Sequence, residues 1–331
     1  MQIEQLTVRD WEVLRLSSEA VSLDVVPGLG GTVTALSRRS DDAALLWSTP
    51  WGLRDRRAWS VPGSSEALAA DTNPGGWQSL FPNGGDTAVV QGVEWGYNGE
   101  ARLTWLDWEQ VDGSLVLTGR LVRSPFTLRK TFRLEGDEVV LEETVQNVGG
   151  EAVEVMWGSQ LVLGGDLVGP GSSVTTSAST VHPDPRSSIS NSYDELMPWP
   201  RSHGSRSMVN LSRLPGPDAD ETRLSYLADF ASPSITVRSP DRRLGLDLSW
   251  DEAWPYVWYC LEAGGRHGFP WYSRGYFLAL TPGTSWPAHG LHEARRNSAS
   301  TVSMQPDEER TVQLRLRVHP EPSDGRAIPP R

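Results

Sequence analysis

Apolar side chains recur at every second position along most of this chain, and this period of two limits its fold more than any other feature. In residues 126–134, Phe and Leu fill one phase together with Lys130, while Thr and Arg fill the other. Residues 137–147 and 311–318 repeat the pattern. Such alternation is typical of half-buried antiparallel strands, and no convincing helical stripe exceeds two turns.

The same pattern, separated by glycine-rich and Asx turn signals, predicts strands through most of the remaining sequence. The further candidates are residues 22–26, 32–37, 102–110, 114–123, 152–163, 223–229, 235–238, 244–250, 256–262, 276–280 and 301–304. So many strands without crossover helices predict an all-β, antiparallel sandwich.

Two segments depart from the alternation. Residues 172–217 are rich in Ser, Pro, Asn and Arg, which predicts a long excursion with little regular structure. Residues 320–331 are polar and rich in proline, which predicts a loosely ordered C-terminal tail. We therefore expect a single domain over residues 1–319, followed by the tail.

Charge and composition exclude several classes of protein. A formal net charge of −12 argues against a nucleic-acid partner or an anionic membrane surface, since both require a concentrated basic face. No apolar stretch is long enough to span a membrane, and the N-terminus lacks the features of a signal peptide, so we expect a cytoplasmic protein. Cys260 is the only cysteine, which excludes an internal disulfide. Nothing specifically supports a metal site or another cofactor, and a monomer or homodimer is expected.

Tryptophan is the informative residue type. The chain has 15 Trp and 32 Gly, which is more large flat side chains than a core requires. Core packing explains many of them. A carbohydrate-binding cleft would use the rest, because the C–H faces of a sugar pack against aromatic rings.

Polar and aromatic residues are densest in residues 73–86 and 95–100. Glycines in these segments let the backbone approach a ligand, and their neighbours offer a ring and hydrogen-bonding groups. The alternative is a glycine-rich hairpin crossover built from Asx turns. The predicted ligand-binding residues here are Trp77, Gln78, Asn83, Asp86, Asn98 and Glu100.

Four segments in order along the chain resemble the aldose 1-epimerase (galactose mutarotase-like) family. They are residues 26–33 (VPGLGGTV), 75–85 (GGWQSLFPNGG), 250–258 (WDEAWPYVW) and 270–276 (PWYSRGY). The resemblance implies a β-supersandwich with a sugar cleft on the concave face of a large sheet, and therefore a sugar or glycoside as the small-molecule partner. It adds Trp157, Gln160, Trp271, Arg274 and Thr281 to the predicted binding residues.

The chain departs from the family where the chemistry is expected. Members of the family open the sugar ring with a glutamate and two histidines. The resemblance places one histidine at Asn98, the other at Ser159 or Gln160, and the glutamate at Thr281. Asn, Gln, Ser and Thr can hydrogen-bond a sugar, but none exchanges a proton near neutral pH.

Two other residues are the candidates for proton transfer. Glu262 continues the aromatic phase of its strand, where burial would raise the pKa of its carboxyl group, and His267 follows in a glycine-rich loop. The alternatives are an ion pair between Glu262 and Arg274 or another arginine, and a solvated loop histidine. Lys130, in an apolar phase, either contacts a ligand or carboxylate or extends to solvent from the sheet rim.

Three functions follow from these observations. The first is a carbohydrate-active enzyme with a non-standard acid–base set. The second is a sugar-binding or sensing protein that has lost catalysis. The third is an ordinary mutarotase whose residues align differently.

Overall fold

A computed structural model describes residues 1–56 and 63–319 of the chain. The predicted C-terminal tail, residues 320–331, lies outside the described residues. The strands of the described part, numbered in chain order, are β1 Gln2–Val8, β2 Trp11–Ser17, β3 Val21–Val26, β4 Thr32–Arg38, β5 Ala43–Ala44, β6 Trp77–Leu80, β7 Ala88–Val90, β8 Val93–Trp95, β9 Asp107–Val111, β10 Ser114–Arg120, β11 Phe126–Glu135, β12 Glu138–Asn147, β13 Val153–Val155, β14 Gly158–Leu163, β15 Ser173–Pro183, β16 Met197–Pro198, β17 Arg201–His203, β18 Met208–Asn210, β19 Glu221–Arg238, β20 Gly245–Trp250, β21 Tyr256–Ala263, β22 Tyr276–Gly283, β23 Val302–Met304 and β24 Glu309–Val318.

Two long runs of antiparallel strands form the scaffold. The first sheet has the order β9-β10-β11-β12-β24-β20. The second sheet has the order β1-β2-β3-β4-β6-β14-β22-β21. Both continue into β19, which pairs with β21 through residues 221–227 and with β20 through residues 234–238. The predicted all-β antiparallel fold is confirmed.

The two sheets pack face to face around an apolar core. Phe132 of the first sheet lies 6.2 Å from Trp77 of the second, measured between ring centroids, in an edge-to-face contact. Phe126 lies 4.9 Å from Phe81 in the same arrangement. Burying each such side chain stabilises the fold by about 1.5–3 kcal/mol, so these contacts fix which face of β6 is turned inward.

Several predicted strands differ from those observed. The strand expected over residues 102–110 begins only at Asp107, because residues 101–103 form a 3₁₀ turn. The excursion expected over residues 172–217 was wrong in its first part, since β15 occupies Ser173–Pro183. Ser and Thr alternate there with buried Val and Ala, and β15 pairs with β19 along most of its length. That pairing is long-range, which local composition does not reveal.

Within residues 1–56 and 63–319, helical structure is confined to short connections. The α-helices are α1 Ser65–Thr72 and α2 Leu291–Asn297, and 3₁₀ turns occupy Pro27–Leu29 and Ala101–Leu103. In the described part of the chain, no helix is long and apolar enough to cross a membrane.

Candidate functional site

One face of the second sheet is turned away from the core where β6, β14, β22 and β21 lie side by side. Gln78 is opposite Gln160 in the register of β6 and β14, so both project to the side that Trp77 does not occupy. The registers of β22 and β21 place Thr281 and Cys260 on the same side. We call this surface, marked by Gln78, Gln160, Thr281 and Cys260, the outer face.

The outer face offers hydrogen-bonding groups that the fold does not use. Gln160 is half-buried, and its side-chain amide makes no hydrogen bond within the described chain. The hydroxyl of Thr281 makes none there either. Gln78 is held in place, because its Nε2 donates to Asn73 Oδ1 at 2.8 Å and to the Gly75 carbonyl at 2.9 Å. A free amide and a free hydroxyl can each donate to and accept from sugar hydroxyls.

An aromatic group stands beside these polar residues. Phe277 of β22 lies 4.5 Å from Trp47, and Trp271 lies 5.2 Å from Trp47, both between ring centroids. Trp51 stacks on Trp271 at 5.8 Å with an interplanar angle of 15°. We call Trp47, Trp51, Trp271 and Phe277 the aromatic wall. It meets the sheet at Val162, only two residues along β14 from Gln160.

Two arginines border the outer face. Arg102 is buried, and its Nη1 lies 3.5 Å from Gln78 Oε1. Arg266 follows β21, with its Nη2 3.8 Å from Cys260 Sγ. Tyr97 interacts electrostatically with both guanidinium groups. Burial raises the pKa of the Tyr97 hydroxyl, and the positive charges of Arg266 and Arg102 oppose that rise.

The predicted acid–base residues lie at the end of β21, next to Arg266. Glu262 is 0% exposed, and its carboxylate accepts hydrogen bonds from Thr222 Oγ1 at 2.7 Å and from the Arg266 backbone N–H at 2.9 Å. Arg266 Nε lies 3.3 Å from the same carboxylate. The side chain of His267 is 73% exposed and lies 3.3 Å from Asp220. Arg274 is exposed to solvent.

Two predicted tryptophans lie on the core side of the sheet. Trp77 Nε1 donates to Ser159 Oγ at 2.6 Å, and the Trp77 ring packs against Phe132. Trp157 Nε1 donates to Glu143 Oε1 at 2.6 Å. The structure therefore does not bring these two rings together with Trp271.

Three predicted polar residues shape the loops at one end of the sheet. Asn83 is 0% exposed, and its amide binds backbone groups of Asp86, Gly96 and Leu291. Asn98, with φ of 60°, accepts a hydrogen bond from the Gly85 N–H at 2.8 Å. Glu100 accepts from the backbone of residues 122 and 123 and from Ser124 Oγ. These side chains hold loops in place by hydrogen bonds between separate segments. An Asx turn in the predicted segment lies at Asn73, whose Oδ1 accepts a hydrogen bond from the Gly75 N–H at 2.9 Å.

A charged cluster that the sequence analysis missed lies near the outer face. His289 Nε2 is 2.6 Å from Asp184 Oδ2, and His289 Nδ1 is 3.6 Å from Asp86 Oδ2. Tyr226 also donates to Asp184, which is 0% exposed, and Arg186 pairs with Asp86 at 2.9 Å. Asp86 lies in the predicted loop, but His289 and Asp184 are 105 residues apart in sequence. No local pattern connects them.

Across residues 1–56 and 63–319, no group of three or more His, Cys, Asp or Glu side chains is arranged to hold a metal ion.

Comparisons with known proteins identify the fold. No protein-family model matches the sequence, and no curated protein matches it. Solved structures do match. The Slr1438 protein of Synechocystis sp. PCC 6803 has 17% identity and a TM-score of 0.64, over 92% of this chain and 95% of its own. A galactose mutarotase-like protein of Lactobacillus casei has 15% identity and a TM-score of 0.64, over 93% and 100%. A Klebsiella pneumoniae protein provisionally assigned as an aldose 1-epimerase has 11% identity and a TM-score of 0.72, over 96% and 83%.

These matches cover nearly the whole chain, and most of the similar structures belong to galactose mutarotase-like proteins. The chain therefore has the galactose mutarotase-like fold. The resemblance predicted from the four sequence segments is confirmed at the level of the fold.

Proposed function

We propose that the outer face binds a sugar or glycoside and that the protein is carbohydrate-active. The observation that carries this proposal is the free amide of Gln160 beside the aromatic wall. An apolar ring surface next to unused donors and acceptors suits a ligand that has both C–H faces and hydroxyl groups. The fold adds support by analogy, because similar structures include proteins described as mutarotase-like.

If the protein is an enzyme, its acid–base set differs from that of the family it resembles. We propose Glu262 and His267 for proton transfer, as the sequence suggested. Glu262 would act only after its ion pair with Arg266 opens, because its carboxylate is now fully buried. The side chain of His267 is 73% exposed, and it would have to leave Ser273 Oγ, at 2.7 Å, and Asp220, at 3.3 Å, to reach a ligand.

A second candidate is a sugar-binding or sensing protein without catalysis. The observation that favours it is the role of Asn98, whose side chain holds the Gly85 backbone. The other two positions where the family's titrating residues are expected, Ser159 or Gln160 and Thr281, also hold side chains that do not titrate near neutral pH.

Calorimetric titration with a panel of aldoses and their methyl glycosides tests the binding proposal. At least one sugar should bind, and Trp271→Ala or Gln160→Ala should weaken that binding by about tenfold or more. The matched control is Tyr272→Ala, since Tyr272 is adjacent to Trp271 but is 65% exposed, and among the rings of the described residues it contacts only Phe269. If Trp271→Ala and Gln160→Ala bind the sugar with the same affinity as the Tyr272→Ala control, the proposal is contradicted.

A further inference from the structure

We infer that the ligand of the outer face carries an anionic group, a carboxylate or a phosphate, which Arg102 binds with Arg266 beside it. This inference rests on the proposed function and adds the chemical class of the sugar.

Arg102 is a buried cation without a counterion. Its side chain is 5% exposed, no carboxylate of the described chain lies within ion-pair distance, and its Nε is buried without a hydrogen-bond partner. Its one hydrogen bond to a described residue, with Gln78 Oε1 at 3.5 Å, is long. Burial lowers the pKa of Arg102 to about 10, which reflects how poorly its charge is compensated.

The neighbouring carboxylates are committed elsewhere. Glu100, two residues before Arg102, accepts hydrogen bonds from the segment 122–124. Glu262 pairs with Arg266, and Asp86 pairs with Arg186. An unpaired buried charge is costly, so a fold under selection for stability alone would pair it or replace it. A guanidinium left open is instead the usual partner for a carboxylate or phosphate ligand, which it can bind with two parallel hydrogen bonds.

Arg266 places a second positive charge across the outer face. Gln78 and Cys260, the neighbours of the two arginines, are on strands separated by β14 and β22. Strands β6 and β21 are three strand spacings of about 4.8 Å apart, which is about 14 Å. The two long arginine side chains can shorten the gap between their guanidinium groups to the width of one sugar ring. The side chain of Arg266 is 44% exposed, and it would reach a ligand by leaving its ion pair with Glu262.

Arg102 is the one charge in this region that the described chain leaves unbalanced. Arg266 pairs with Glu262, and in the charged cluster nearby Asp86 pairs with Arg186 and Asp184 with His289. A guanidinium whose charge is not balanced favours an anionic ligand over a neutral one.

Calorimetry at low salt with matched neutral and anionic sugars tests this inference. D-glucose is compared with D-glucuronate and D-glucose 6-phosphate, and D-galactose with its uronate and 6-phosphate. We expect at least one anionic sugar to bind about tenfold or more tightly than its neutral parent. Comparing the uronates with the 6-phosphates shows whether the bound anionic group is a carboxylate or a phosphate. The preference should disappear in Arg102→Gln and decrease in Arg266→Gln.

Two controls keep the test interpretable. Arg129→Gln, at an exposed arginine of the first sheet, should leave the preference unchanged. Thermal unfolding checks folding: inorganic phosphate in excess should raise the Tm of the wild type more than that of Arg102→Gln. Equal binding of neutral and anionic sugars would overturn the inference but leave the proposed function intact. A preference that survives in Arg102→Gln would also overturn it, and no binding by any sugar would contradict both.

Discussion

Lys130 and Glu143 form an ion pair inside the core, with 3.5 Å between Nζ and Oε2 and neither side chain more than 2% exposed. Ser79 Oγ and Trp157 Nε1 also donate to the Glu143 carboxylate. Burial lowers the pKa of Lys130, and the carboxylate of Glu143 limits that decrease. The pair connects the first sheet to β6 and to the segment before β14, directly beneath the outer face.

Lys130→Met should lower the free energy of unfolding by about 3–5 kcal/mol, because it leaves a buried carboxylate without a counterion. Urea denaturation measures the loss. The exposed pair Arg295–Glu154 provides the control, and Arg295→Met should cost no more than about 1 kcal/mol.

The double variant Lys130→Met/Glu143→Leu should be more stable than Lys130→Met alone, since it removes both charges. If Lys130→Met costs no more than the control, the ion pair does not stabilise the core in the way described.

Asp184 should make the protein sensitive to acid. Burial tends to raise the pKa of its carboxyl group, but the hydrogen bonds from His289 and Tyr226 outweigh burial and lower that pKa below 3.8. A lowered carboxyl pKa stabilises the fold above the ordinary value, and that contribution is lost as the pH falls through the folded-state pKa. The stability difference between wild type and Asp184→Asn should therefore shrink below about pH 4.

Denaturant unfolding of both proteins between about pH 7 and pH 3 measures this difference. Tyr226→Phe, which removes one of the donors, should give an intermediate curve. A difference that stays constant across the whole range would show that Asp184 does not contribute through its charge.

The protein should be a poor mutarotase. Loss of one positioned acid or base typically slows a reaction by about a hundredfold to ten-thousandfold, and the positions expected for these groups are Asn98, Gln160 and Thr281. Polarimetry on fresh α-glucose and α-galactose should show little acceleration. Should a clear acceleration appear, Glu262→Gln and His267→Asn would then be assayed, and full activity in both would exclude them from the mechanism.

Sequence periodicity was sufficient to predict the fold, but it did not show for every strand which side chains point into the core. In residues 126–134, apolar side chains and Lys130 alternate with Thr and Arg along the sequence, so their inward phase was predictable. All four residues of β6 are buried, because the core covers one face while Arg102 and neighbouring loops cover the other. A strand that is buried on both faces shows no alternation of apolar and polar residues, so its sequence does not indicate which side chains point into the core. That is why Trp77 could not be distinguished from Gln78 as the residue on the outer face.

Pairs of residues that are far apart in the sequence were the other feature that could not be predicted. Lys130 was recognised as anomalous, and Glu143, which shares an apolar phase with Val139 and Leu141, was the available signal for its partner. Asp184 and His289 meet only because two distant loops converge near Tyr226. No local feature of the sequence marks either residue as a member of a pair.

The most direct test of the sugar-binding face is a spectrum of the tryptophan indole N–H groups in ¹⁵N-labelled protein. D-glucose, D-galactose, their uronates and their 6-phosphates are added in turn, and Trp271→Phe, Trp77→Phe and Trp157→Phe assign three of the signals. Trp271 lies in the aromatic wall, whereas Trp77 and Trp157 donate their indole N–H groups inside the core. The account predicts that a bound sugar moves the Trp271 resonance and leaves those of Trp77 and Trp157 nearly unchanged. Movement at Trp77 or Trp157 with Trp271 unaffected, or no movement with any of these sugars, would contradict it.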